Sequence, residues 1–243
     1  MSVWRALGIA GFRWLHLLAG ITWIGLLYYF NFVQTPSLAQ FEAPSRVELQ
    51  RKLLPRALLW FRMAAAFTFV TGILIFIFQE QYKTDYNKTW GALSIYSGML
   101  IATVMLCNVW FVIWPNQRKV IANAEGVASG KDADPTAAPA GRKAALASRT
   151  NTLFSIPVMW FMIGTSHWVA LAPRFFKLPT SSDKAIWYAA LLILTAVIEA
   201  NALGLIGGFA PGPTRKFLDS AGQTIAAGCI LWAIYLVLQL ALS

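Results

Sequence analysis

The sequence predicts an all-α, polytopic integral membrane protein, a bundle of about six transmembrane helices. Two observations carry this. Hydrophobic residues make up 58% of the chain and charged residues only 12%, where a soluble domain carries about a quarter charged. The apolar residues also fall into six runs, about 7–33, 58–78, 91–114, 153–172, 186–206 and 221–242. At about 1.5 Å rise per residue each is long enough to cross a hydrocarbon core of about 30 Å. Residues 1–243 therefore read as a single membrane domain.

The net charge of +10 comes from 20 Lys and Arg against 10 Asp and Glu. These basic residues lie almost entirely between the apolar runs. There they set topology and meet anionic headgroups of the lipid bilayer, so no nucleic-acid partner is expected. Cys107 and Cys229 both sit inside apolar runs and read as small apolar residues; no CxxCH for covalent haem occurs. The first run is too long for a signal-peptide core and is expected to be a retained span.

Taken in order, the first span is followed by a polar connection in which Ser45 and Glu48 have capping-box spacing, predicting a short interfacial helix. Pro55 suits the first turn of the second span, and Arg62 lies early enough in it to snorkel to the headgroups. Ser97, Gly98, Thr103 and Asn108 in the third span read as helix-packing residues. Pro115 is expected to end that span. Segment 116–150, rich in Ala, Gly, Pro and Asp, then reads as a cytoplasmic surface linker with a helical stretch near Ala144. GGFAPGP at Gly207–Pro213 breaks the chain before the last span, and Trp4, Trp90, Trp114 and Trp187 near span ends suit an aromatic belt.

The connections at 34–57, 116–150 and 207–219 carry twelve Lys and Arg against six at the opposite end. The expected orientation therefore places that basic end in the cytoplasm and both termini in the periplasm of a bacterial inner membrane.

Few polar groups lie inside the spans, and those few are the candidate functional residues. The chain has only two histidines, His16 and His167, and both fall in spans. In the expected topology His16 is about 14 Å, and His167 about 8 Å, from the periplasmic end of its span. Two neutral imidazoles on neighbouring helices at similar depth can ligate a b-type haem, with Gly20 and Gly25 leaving room for a flat macrocycle. The alternative is that each imidazole donates to a carbonyl or hydroxyl and serves packing. Arg13, one turn before His16, can pair with a haem propionate or snorkel to the surface. Glu199, the acidic residue at a span centre, lies about 20 Å deep, too deep to share a site with His167. It is a candidate proton relay or substrate-binding (catalytic) acid; the alternative is a hydrogen bond to a Ser, Asn or Trp on an adjacent helix.

Four segments together resemble a known family: HLLAGITWIG (16–25), LLWFRMAA (58–65), NVWFVIWPNQRKVI (108–121) and RTNTLFSIPVMWFMIGTSHW (149–168). They are similar to the membrane domain of the cytochrome-c-linked, PuuD-type urate oxidases. The spacing of His16, Gly20, Trp23 and Gly25 is also similar to that of HemJ-type protoporphyrinogen oxidases, small haem-binding membrane proteins. The first resemblance implies a membrane-bound oxidoreductase that oxidises a purine and passes electrons to a c-type haem outside the membrane. His16 and His167 would be the matching histidines. Members of that family carry a C-terminal cytochrome c domain that this sequence lacks after its sixth span. The resemblance therefore implies a separate cytochrome c, or a partner subunit, as electron acceptor. Two readings of other classes stand beside it: a non-catalytic accessory subunit of a larger membrane complex, and a proton-coupled transporter using Glu199. The absence of a detectable repeat counts against the transporter.

Overall fold

A computed structural model describes residues 3–80, 85–175 and 178–243, with the backbone alone at 165–175. Most of the described residues are helical and none is in a strand. In chain order the helices are α1 (Val3–Tyr28), α2 (Thr35–Leu38), α3 (Ala43–Lys52), α4 (Leu54–Gln79), α5 (Trp90–Cys107), α6 (Trp114–Ala128), α7 (Ala137–Phe175), α8 (Ser181–Ala202) and α9 (Ala221–Leu242). Short π-helical turns, Tyr29–Gln34 and Asn108–Ile113, join α1 to α2 and α5 to α6 without a break. Among the described residues, five helices or continuous helical runs are long and apolar enough to cross a membrane: Val3–Leu38, Leu54–Gln79, Trp90–Ala128, Ser181–Ala202 and Ala221–Leu242. Between the third and fourth of these, α7 runs for 39 residues from one end of the bundle to the other.

α7 is the central helix. It packs on α5, α6, α8 and α9 and touches α1. Close approach to α5 depends on Gly98, where a Cβ would stand 3.1 Å from Met162 and 3.2 Å from Phe161, and Ser94 donates to the Phe161 carbonyl at 2.9 Å. Small residues let membrane helices approach in this way, so that dispersion contacts replace lipid. α1 lies antiparallel on α4, tied at the end that carries the chain termini by an Arg5–Glu80 ion pair at 2.9 Å. Leu17, Ile21, Phe67, Ile193 and Val237 point outward, as lipid-facing positions do.

Helix starts follow local chemistry. Thr180 and Asp183 form a reciprocal capping box at α8. Ser220 caps α9 through the Gln223 amide at 3.2 Å, and the left-handed glycines Gly204, Gly207 and Gly208 end α8.

Four expectations are corrected. Pro115 does not end its helix. The π turn ahead of it has already displaced the i→i−4 ladder, so the missing N–H falls in the first turn of α6 and the helix runs on to Ala128. Much of segment 116–150 is accordingly helical, with α6 and the start of α7 packed as an antiparallel pair. Ala124, Ala140, Ala144 and Ala147 are buried there. The short helix near residue 45 starts at Ala43 with Pro44 in its first turn, and Glu48 pairs with Arg51 and Lys52 rather than capping. Trp90 and Trp187, expected in an interfacial belt, are buried in an edge-to-face pair 5.9 Å apart, with the Trp187 indole donating to Ser97 at 2.8 Å.

Gly228 on α9 lies so close to α7 that a Cβ would stand 2.6 Å from Ile156 and 2.8 Å from the Leu153 carbonyl. Gly228→Ala is therefore expected to cost roughly 1–3 kcal/mol. Gly222→Ala on the same helix, with nothing near its added Cβ, is expected to be neutral or slightly stabilising. Thermal unfolding of both variants in mild detergent checks the pair.

Candidate functional site

His16 projects from α1 toward α4. Its Nδ1 lies 2.8 Å from the Thr68 carbonyl oxygen and 3.2 Å from the Thr71 hydroxyl, which itself donates back to Phe67 at 2.6 Å. A carbonyl only accepts, so Nδ1 carries the proton, and in the neutral ring Nε2 keeps its lone pair. The ring rests on Gly72, where a Cβ would come within 3.2 Å of Cε1. A Cβ added at Gly20 would stand 4.0 Å from Thr68, whereas one added at Gly25 would meet nothing within 4 Å. Arg13 is exposed on the surface of α1.

His167 belongs to α7, and its side chain lies outside the described residues. The helix backbones give its level. Tyr28 and Ser155 share a hydrogen bond at 2.8 Å between α1 and α7. From that bond His16 and His167 are each twelve residues along their helices toward the same end of the bundle, about 18 Å of path.

Glu199 is half-buried on α8 and accepts from the Asn108 amide at 3.0 Å. The same amide donates to Asn151 Oδ1 at 3.0 Å, and Asn151 donates to the Met105 carbonyl at 2.9 Å. Asn108 opens the π turn, so a carbonyl next to the distorted ladder is satisfied by a side chain of α7. Thus the hydrogen bond to an adjacent-helix Asn is the arrangement present. Asn151 is sixteen residues from His167 along α7, about 24 Å, so the carboxyl and the histidine do not share a site.

In the sequence Asn108 reads as a packing residue, and Asn151 does not stand out from the polar start of its span. The available signal was an amide in an apolar run seven residues before a proline. Among the described residues no group of three or more His, Cys, Asp or Glu is assembled for a metal ion. Cys107 and Cys229 are free and exposed.

These features define a multi-pass, all-α membrane protein with two separate polar sites inside its bundle, one at an oriented histidine and one at an amide-held carboxyl. Residues 82–198 match the family model described as urate oxidase N-terminal, bearing out the resemblance to that membrane domain over just under half of the chain. The matched stretch contains segments 108–121 and 149–168, and with them Asn108, Asn151 and His167; segments 16–25 and 58–65 lie before it, and Glu199 directly after it. Comparison with curated proteins and with solved structures found no match.

Asn108→Leu strips Glu199 and Asn151 of their shared donor and is expected to destabilise the protein by about 1–3 kcal/mol. Glu199→Gln keeps an acceptor in place and is expected to cost less than about 1 kcal/mol. Unfolding midpoints in detergent separate the two.

Proposed function

We propose that this chain is a membrane redox protein related in function to the urate oxidase membrane domain, holding a b-type haem between His16 and His167. The observation that carries the reading is the orientation of His16. A carbonyl on α4 fixes the proton on Nδ1 and leaves Nε2 as the ligating nitrogen, the arrangement by which second-shell partners set haem and metal histidines. Equal path lengths of about 18 Å from the Tyr28–Ser155 bond support His167 as the second ligand. Arg13, a turn from His16 toward the chain terminus, offers a cation to a propionate. The haem, when bound, supplies one-electron chemistry; the helices hold the ring, fix the imidazole tautomer and exclude water.

In this reading the termini face the periplasm of a bacterial inner membrane, and the acceptor is a separate cytochrome c or a partner subunit. The electron source is urate or a related small reductant. Glu199, bonded to a neutral amide, is the group proposed to exchange protons, and Glu199→Gln is expected to lower turnover tenfold or more.

The deciding measurement is a reduced-minus-oxidised absorption spectrum of the purified protein. Haem bands at one haem per chain are expected, with His16→Ala and His167→Ala each abolishing them. Gly72→Ala, which crowds Cε1 of His16, is expected to weaken haem retention several-fold without unfolding the bundle. A flat spectrum from well-folded protein overturns the assignment, and co-purification of that colourless protein with other subunits turns the reading to an accessory role.

A further inference from the structure

At the end of the bundle away from the chain termini, three arginines converge on the 203–219 connection. Arg215, on the 3-10 turn Pro213–Leu218, has no exposed surface. Its Nη2 donates to the Ile206 carbonyl at 2.9 Å, while Nε and Nη1 are buried without a hydrogen-bond partner. Arg149 of α7 spends Nη1 on the carbonyls of Leu218 and Asp219, at 2.6 and 2.9 Å. Arg142, a further two turns along α7, reaches the Phe209 carbonyl and the Asp219 carboxylate, both at 3.3 Å.

The charges do not balance. Three guanidinium groups face one carboxylate, and Lys143 adds a fourth cation 4.8 Å over the Phe209 ring, whose far neighbour is Arg215 at 5.9 Å. Burial first, and then Arg142, push both Arg149 and Arg215 down from the ordinary arginine value, with Asp219 working against them. A buried guanidinium with two idle donors is costly, and such a group in a native fold calls for a partner. Arg142 and Asp219 are 28% and 35% exposed and form the open rim of the cluster. Gly204, in the left-handed region, lets Phe209 fold over it, since a Cβ there would stand 2.7 Å from the ring.

We infer that Arg142, Arg149 and Arg215 form a binding site for a phosphate group, entered past Arg142 and Asp219. Guanidinium forks match the paired oxygens of phosphate, and a phosphate supplies the negative charge that Asp219 alone does not. The cluster sits just beyond the ends of α8 and α9, at headgroup level, so the phosphate is that of an anionic phospholipid or of a small soluble ligand. The site is independent of the haem assignment.

The test uses the full chain, delipidated in detergent, with its unfolding midpoint followed against inorganic phosphate and against chloride at matched ionic strength. In parallel, the midpoint is compared in nanodiscs of phosphatidylglycerol and of phosphatidylcholine. Stabilisation by inorganic phosphate beyond chloride identifies a soluble ligand, and stabilisation by phosphatidylglycerol alone identifies a headgroup. In either case Arg142→Gln, a rim variant that leaves buried Arg215 in place, is expected to weaken the effect about tenfold. Asp219→Asn removes the competing carboxylate and is expected to strengthen it several-fold. Equal midpoints in phosphate and chloride, together with equal midpoints in the two lipids, overturn the site.

Discussion

A carbonyl or amide N–H at mid-membrane has no water to bond, so every irregularity in a spanning helix must find its partner inside the protein. That constraint organises this bundle. Its two continuous long runs each contain a π turn, and each turn holds a buried asparagine. Asn31 donates to the Leu27 carbonyl and to Ser148; Asn108 donates to Asn151 and Glu199 while Asn151 covers Met105. In both runs a proline follows in the first turn of the next helix, Pro36 and Pro115. The amides, the π turns and the prolines form one solution to one problem. The buried polar stretch of α7 from Thr150 to Ser155 is its counterpart on the central helix.

This arrangement also separates the chemistry of the two ends. Nearer the termini, α1 and α4 fix an imidazole through a carbonyl. Deeper in, the Asn108 amide of the π turn donates to the Glu199 carboxyl of α8 and to Asn151 of α7. Beyond the helix ends, guanidinium groups outnumber the carboxylate that faces them. Each device uses the protonation or charge state that its depth favours: a neutral ring, a neutral clamp and then full charges at the headgroups.

Much of the architecture was legible in the chain because lipid imposes a coarse rule, that apolar length means a span. The span positions and the gap in depth between His167 and Glu199 follow from counting. What could not be counted was the partner of each polar group. Pro115 reads as a stop because proline usually is one, and only a π turn before it makes it harmless. Segment 116–150 has the small-residue composition of a linker, yet its alanines sit at helical spacing and close one helix on another. Trp90 and Trp187 lie where belt residues lie but point inward. Arg215 counts as one more positive charge in any tally of loops. That it is wholly buried depends on a glycine-rich turn folding back over α7.

The π turn at Asn108–Ile113 acts as a phase shift. One extra residue in a helical turn advances everything after it by about 100° relative to an unbroken α-helix. The face that α6 shows to α7, with buried Ala124 on it, is thus set by an insertion buried in the bilayer some fifteen residues upstream. Loss of a single residue within the turn would leave both flanking sequences intact and still rotate the whole extramembrane helix out of register with its partner. In this protein the geometry of an aqueous surface is keyed from inside the membrane.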